Sequence, residues 1–292
     1  MLRKYIKMKI KYFFQVLAFL IFSPMVSQEM SSPKLIAEVE GLAHCESVVY
    51  DSKRDLYYVS VMADRKEGDG KIATVSTNGV IKDLNFVTGL NNPKGIALKG
   101  NSLYVSDEVV LLEIDMDSGE ILNEFKGYGA KSLNDVAVDK KGNVFVSDMG
   151  NSSIYKLDTK GNFKEWLKSS ELQTPNGLLA VNKDLYVAGW ASDATKGSDE
   201  PKGGFIKLST TGKEVVKLTN ELGNLDGIQK FDDNSFLVSA WNSGEIYKIS
   251  KEGKVELVMK AQRSVGDILY IPEKKVLALP MNIQNKLMIY EY

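Results

Sequence analysis

The chain repeats itself. Six short runs of strand-forming residues read alike: Leu56-Tyr57-Tyr58-Val59-Ser60, Leu103-Tyr104-Val105-Ser106-Asp107, Val144-Phe145-Val146-Ser147-Asp148, Leu185-Tyr186-Val187-Ala188-Gly189, Phe236-Leu237-Val238-Ser239-Ala240 and Val276-Leu277-Ala278-Leu279-Pro280. Their first residues lie 47, 41, 41, 51 and 40 positions apart. Aromatic and β-branched residues dominate them, as in buried strands. A turn such as Lys140-Lys141-Gly142-Asn143 precedes each run, and an alternating strand such as Ile154-Tyr155-Lys156-Leu157 or Ile246-Tyr247-Lys248-Ile249 follows it. In the first five repeats a glycine turn and a short outer strand come next, as in Phe163-Lys164-Glu165-Trp166-Leu167. Four strands at a period near 40 residues make a propeller blade, because one such sheet cannot bury its faces alone and must stack on its neighbours.

The last repeat stops at Tyr292, inside its third strand, while Leu35-Ile36-Ala37-Glu38-Val39 precedes the first repeat and belongs to no blade. That strand is expected to supply the missing outer edge and so remove an open seam. The expected fold is all-β: a six-bladed β-propeller over residues 34–292, with the N-terminal strand closing the last blade and about 43 residues per blade. Paired β-sandwiches would explain neither the period nor the leftover strand. Thirteen tyrosines, mostly at alternating strand positions, read as core and inter-blade packing.

Residues 1–27 are of another kind. Arg3, Lys4, Lys7, Lys9 and Lys11 open the chain, and Tyr12 to Phe22 is apolar apart from Gln15. That run is shorter than the roughly 20 apolar residues a bilayer requires. Ser23-Pro24-Met25-Val26-Ser27 then supplies a breaker and small residues. This is the layout of a signal peptide over residues 1–27, followed by a short linker, 28–33, with an uncleaved anchor as the competing reading. Secretion or periplasmic export is the expected localisation, with no membrane attachment after signal removal. Removing the five cations leaves 32 basic against 38 acidic residues, a net −6. With no basic block elsewhere, nucleic acid is not an expected partner.

One histidine and one cysteine exclude His-clustered and Cys-rich metal sites and any disulfide framework. Chemistry must rest on carboxylates, amides, lysines and hydroxyls. Aligning the repeats at the start of the innermost strand gives a ring of Glu46, Lys94, Asn134, Asn176, Asp226 and Gly266. Asn-Gly and Asp-Gly are common hairpin pairs, so a turn-only role is the plain alternative. It does not predict Glu46 or Lys94 at that phase. Converging side chains would place two carboxylates and two amide carbonyls together, an all-oxygen set suited to Ca²⁺ more than Mg²⁺. Lys94 would neutralise a carboxylate or act as a charged donor to substrate. Asp135 and Asp267, one residue further on, are candidates to orient the ring side chains.

The motifs Glu46-Ser47-Val48-Val49-Tyr50-Asp51, Leu133-Asn134-Asp135-Val136, Pro175-Asn176-Gly177-Leu178 and Leu225-Asp226-Gly227-Ile228, in that order, resemble the regucalcin/gluconolactonase/luciferin-regenerating-enzyme family, akin to the paraoxonases and diisopropylfluorophosphatases. The resemblance covers residues 34–292. It implies a divalent cation, Ca²⁺ first, on Glu46, Asn134, Asn176 and Asp226, and hydrolysis of a lactone or related ester with Asp226 as base or nucleophile; Lys94, from its place in the ring, is the second catalytic candidate. The implied partner is a small-molecule substrate, with Asn134, Ser132, Trp190 and Trp241 as binding candidates. Two departures stand out. Lactonase members often carry Arg where this chain has Ser132, and the catalytic histidines of the paraoxonase type are absent, His44 being a packing candidate.

The longest connections, 62–70 and 190–203, should return to the mouth of the ring and form a substrate rim, or else be hydrophilic inserts. They hold Asp64, Arg65, Lys66 and Glu67, and Trp190, Ser192, Asp193, Lys196 and Asp199. Cys45 is expected to be a buried, unreactive thiol. Two functions are therefore open: an exported hydrolase of the gluconolactonase type, or a non-catalytic ligand- or protein-binding propeller with a structural metal.

Overall fold

The structure, a computed structural model, describes residues 33–191, 202–211 and 214–292. The expected signal peptide and all but the last residue of the linker lie outside them, as do Ser192, Asp193, Lys196 and Asp199. Among the described residues there are six four-stranded antiparallel sheets and, for helix, only two three-residue 3-10 turns. Blades one to five run in chain order, each from an inner to an outer strand. The inner strands are Cys45–Asp51, Pro93–Lys99, Leu133–Val138, Pro175–Val181 and Leu225–Lys230. Blade six is composite: Leu269–Ile271, Val276–Met281 and Lys286–Glu291 are joined by Lys34–Glu40 from the other end, paired antiparallel from Lys34 opposite Glu291 to Glu40 opposite Lys286. Each inner strand packs on the inner strands of its neighbours, so the sheets close into a six-bladed ring.

The core lies between blades. Tyr58 and Ile72 of blade one pack with Ile96 and Leu103 of blade two, and Tyr186 of blade four meets Phe236 of blade five at 4.2 Å between ring centroids. Such aromatics each contribute about 2 kcal/mol by leaving water. Most tyrosines serve this packing as expected; Tyr128, 80% exposed, does not.

The inner strands of blades one to five open with the same irregularity. In blade three, Leu133 pairs Asp148 and the next regular pair is Val136 with Val146, so three steps on one strand oppose two on the other. The same one-residue excess recurs at Cys45/Val48, Pro93/Ile96, Pro175/Leu178 and Leu225/Ile228. These are β-bulges, which re-aim side chains and leave a backbone amide without its ladder partner. The Asn-Gly and Asp-Gly pairs of the ring therefore sit in bulges and not in hairpin turns, which removes the turn-only reading. In blade six the regular inner strand starts only at Leu269, after bridges at Val265 and Asp267.

The serine of the repeated second-strand motif faces the bulge. Ser147 Oγ accepts the Asp135 N–H at 2.9 Å and donates to the Asn176 carbonyl of the next blade at 2.6 Å. Ser239 does the same between the Gly227 N–H and the Gly266 carbonyl, at 2.8 and 2.9 Å. Ser106 donates to the Asn134 carbonyl, again one blade on. One hydroxyl thus satisfies the amide freed by a bulge and staples two blades. Blades also touch backbone to backbone here: a Cβ on Gly177 would come 1.8 Å from the Asp226 carbonyl oxygen, so only glycine fits.

Replacing Ser147 by alanine strands a buried N–H and a buried C=O together. Urea denaturation of Ser147→Ala is expected to show a loss of about 1–3 kcal/mol; an unchanged midpoint would mean that the hydroxyl does not join the blades.

Candidate functional site

The bulges aim five ring side chains into one place. Glu46, Lys94, Asn134, Asn176 and Asp226 line a single cavity of about 180 Å³. Trp190 and Trp241 line it too, with ring centroids 5.9 Å apart. Ser132 is not on its wall but beside it, where its hydroxyl accepts from the Lys94 ammonium at 3.1 Å. Gly266 contributes no side chain; a Cβ there would lie 2.3 Å from the Glu46 carbonyl oxygen. At the same point the Asp267 N–H donates to that carbonyl at 2.8 Å and locks blade six to blade one.

The connection 62–70 reaches the cavity through Met62 and Arg65. Its shape is held by Asp69, whose carboxylate accepts the N–H groups of Asp64 and Lys66 at 3.1 Å each. Four lining residues escaped the sequence reading of individual positions: Met62, Asn92, Met149 and Asn282. Asn282 lies just past the second strand of blade six, the same structural place as Met62 and Met149 in their blades, so the repeat phase after each second strand was the usable signal. A larger hollow of about 690 Å³, walled mainly by residues 217–222, shares no residue with the ring.

Four carboxyls sit near the axis. Glu46 and Asp226, 7% and 3% exposed, face the upper cavity. Asp135 and Asp267 face a second cavity of about 270 Å³ whose walls are mostly aliphatic residues of the inner strands. Asp135 does not orient a ring side chain directly: its carboxylate accepts the Val136 and Leu178 N–H groups at 2.6 and 2.5 Å, bracing blade four. Asp267 accepts from the Ser47 hydroxyl at 2.6 Å.

Burial dominates the protonation equilibria. It pushes the Glu46 carboxyl up to about 8, helped by the charge of Asp267 and opposed by Lys94. Burial likewise holds Asp226 well above the ordinary carboxylate range, with Glu46 and Asp267 adding to it and the Asn176 amide opposing. The Lys94 ammonium is lowered by burial, while Glu46 pulls it back and Arg65 repels it. Burial also drives the Cys45 thiol up to about 12, and its Sγ lies 3.3 Å from the Lys286 carbonyl, so it is the inert core thiol expected. His44 is spent on structure: its Nδ1 lies 3.3 Å from Asn282 Oδ1, and it does not line the cavity.

The ring fits a hard divalent cation on its own chemistry. Glu46 Oε2, Asn134 Oδ1 and Asn176 Oδ1 are buried oxygens without a hydrogen-bond partner. The amide nitrogens are already engaged, Asn176 Nδ2 donating to Asp226 Oδ2 at 2.9 Å and Asn134 Nδ2 meeting Met149 Sδ at 2.6 Å. Unpartnered buried oxygens are costly in a finished structure. Among the described residues no group of three or more His, Cys, Asp or Glu is placed to hold a metal, so such a cation would depend on the amide oxygens.

No protein-family model matches the chain, and no curated protein matches it significantly. Solved structures do. A gluconolactonase of Xanthomonas campestris superposes with a TM-score of 0.70 at 12% identity, covering 90% of this chain and 95% of that one. The chain shares its fold with gluconolactonases. A putative gluconolactonase gives 0.66 at 16% identity over 89% and 91% of the two chains. A streptogramin B lyase gives 0.63 at 12% over 87% and 96%. At these identities the likeness is one of fold.

The raised Glu46 carboxyl has a thermodynamic consequence. The unfolded chain gives up this proton near the ordinary value of 4.5, the folded chain only near 8. Metal-free stability from this group is therefore greatest below about 4.5 and declines as pH rises towards 8. Melting temperatures of the chelator-treated protein are expected to fall across that window. Added calcium should restore them most at pH 8, and Glu46→Gln should weaken both the pH slope and the calcium effect. A calcium response retained in full by Glu46→Gln would remove Glu46 from the site.

Proposed function

We propose that this chain is an exported, metal-dependent hydrolase that opens a lactone or similar ester at the mouth of the propeller, secreted or periplasmic by way of its N-terminal segment. The observation that carries the reading is the trio of unpartnered buried oxygens on Glu46, Asn134 and Asn176 beside Asp226. Those four residues would hold a divalent cation, Ca²⁺ first, with their two negative charges matched to its two positive ones. When bound, such an ion supplies Lewis-acid polarisation of an acyl oxygen.

The chain's own groups account for the rest. Asp226, at the cavity wall, is placed to take a proton from an attacking water, and Asn176 holds its second oxygen in a fixed direction. Lys94, held by Ser132, is placed to donate to the oxygen on which charge develops. Trp190 and Trp241, which line the same cavity, would give a bound ring apolar contact. In the net reaction the water oxygen bonds to the acyl carbon, the ring C–O bond breaks, and a hydroxy acid leaves. The shared fold with gluconolactonases supports a small-molecule substrate of this kind.

The rival is a ligand-binding propeller without turnover, favoured by the lack of an imidazole on the cavity wall. Titration with calcium and a panel of lactones separates the two. Calcium-dependent hydrolysis that falls by about 100-fold or more in Asp226→Ala is expected. Calcium binding without turnover of any lactone, ester or phosphotriester would leave the binding module.

A further inference from the structure

The cavity wall carries one cation that the hydrolytic chemistry does not use, Arg65. Arg65 and Lys94 both line the cavity, and each is tethered by a neutral acceptor. Arg65 Nη2 lies 3.5 Å from Asn282 Oδ1 and Lys94 Nζ 3.1 Å from Ser132 Oγ. Neither makes an ion pair with a carboxylate among the described residues. Asn282 is itself fixed, 2% exposed, with its Nδ2 donating to the His44 carbonyl at 3.3 Å. Loop 62–70 is pinned by Asp69 and by Asn91, which accepts the Gly68 N–H at 3.1 Å. Neither cation is spent on an ion pair, although the nearby Glu46 charge attracts Lys94.

Charge counting shows what is missing. Glu46 and Asp226 carry two negative charges and a divalent cation cancels them. Lys94, half-buried, and Arg65, at the exposed rim, then remain as positive groups on the cavity wall, and a neutral guest would give Arg65 no counter-charge. A carboxylate fits a guanidinium in planar, paired geometry. The volume of about 180 Å³ is that of roughly six waters at ~30 Å³ each, the scale of a single sugar-sized ring. Trp190 and Trp241 add aromatic surface to the same wall.

From this we infer that the substrate is an anion: a small lactone or ester bearing a carboxylate, its charge seated at Arg65 and its acyl group directed to Lys94 and the Glu46–Asp226 side. The inference rests on the hydrolytic reading for the position of the acyl group, but the anion seat stands apart from turnover.

The γ-lactones of glucaric and gluconic acid differ by a carboxylate in place of a hydroxymethyl group and make the direct probe. With calcium bound, the glucaric lactone is expected to have at least a tenfold higher kcat/KM, and Arg65→Gln to remove that preference, with KM for the anionic lactone rising more than kcat falls. Equal kcat/KM for the two lactones, or a preference unchanged in Arg65→Gln, overturns the inference. If neither lactone is hydrolysed, the hydrolytic reading is what has failed, and calorimetry decides the anion seat. Glucarate binding to the calcium-loaded protein, at least tenfold weaker in Arg65→Gln and weakened by sodium chloride, upholds it; no glucarate binding overturns it.

Discussion

Everything at the centre of this protein depends on one extra residue at the head of the inner strand in blades one to five. A regular strand would send successive side chains alternately into the two neighbouring inter-blade layers. The bulge breaks that alternation at one point and turns a side chain toward the axis, at the price of a backbone amide with no ladder partner. The second-strand serines repair the loss in blades three and five and tie the repair to the following blade. Glycines at 177, 227 and 266 let adjacent inner strands approach closely enough for this. Bulge, serine and glycine form one device, and the cavity is its product.

That device brings acids together in a poorly hydrated place, which is unfavourable unless something positive or a proton accompanies them. The raised Glu46 and Asp226 carboxyls are the metal-free answer: protons take the place of a counter-ion. Lys94 is near but is not ion-paired to them; its hydrogen bond is to Ser132. The amide oxygens of Asn134 and Asn176 stay unpartnered beside these carboxyls, so the ring has neutral as well as acidic oxygens to offer.

Much of this was legible before any coordinates. The period near 40, the leftover strand at Leu35–Val39 and the phase of Glu46, Lys94, Asn134, Asn176 and Asp226 are periodic facts, and periodic facts survive without tertiary context. Met149 and Asn282 share with Met62 the position just past a second strand, but the residue type changes from blade to blade and carries no motif, whereas Asn92 belongs to a connection whose side-chain directions follow loop geometry. The place of Ser132 two residues before Asn134 points to a substrate contact, yet its hydroxyl faces Lys94. Asp135 was read as an orienting group for its neighbour, but a carboxylate on a bulge meets the nearest free amides, and those are Val136 and Leu178.

The inequality of the six blades is what turns a symmetric scaffold into a directional site. The backbone offers nearly equivalent positions, filled with acids on blades one and five, amides on three and four, a lysine on two and nothing on six. Gly266 cannot be otherwise, because the Glu46 carbonyl occupies the space a side chain would need. The wall it leaves unlined is completed from above by Asn282, and through Asn282 by Arg65. A steric requirement at the closing seam of the ring thus decides where a cation enters, and the cavity acquires an acidic side and a basic side from a fold that is blind to both.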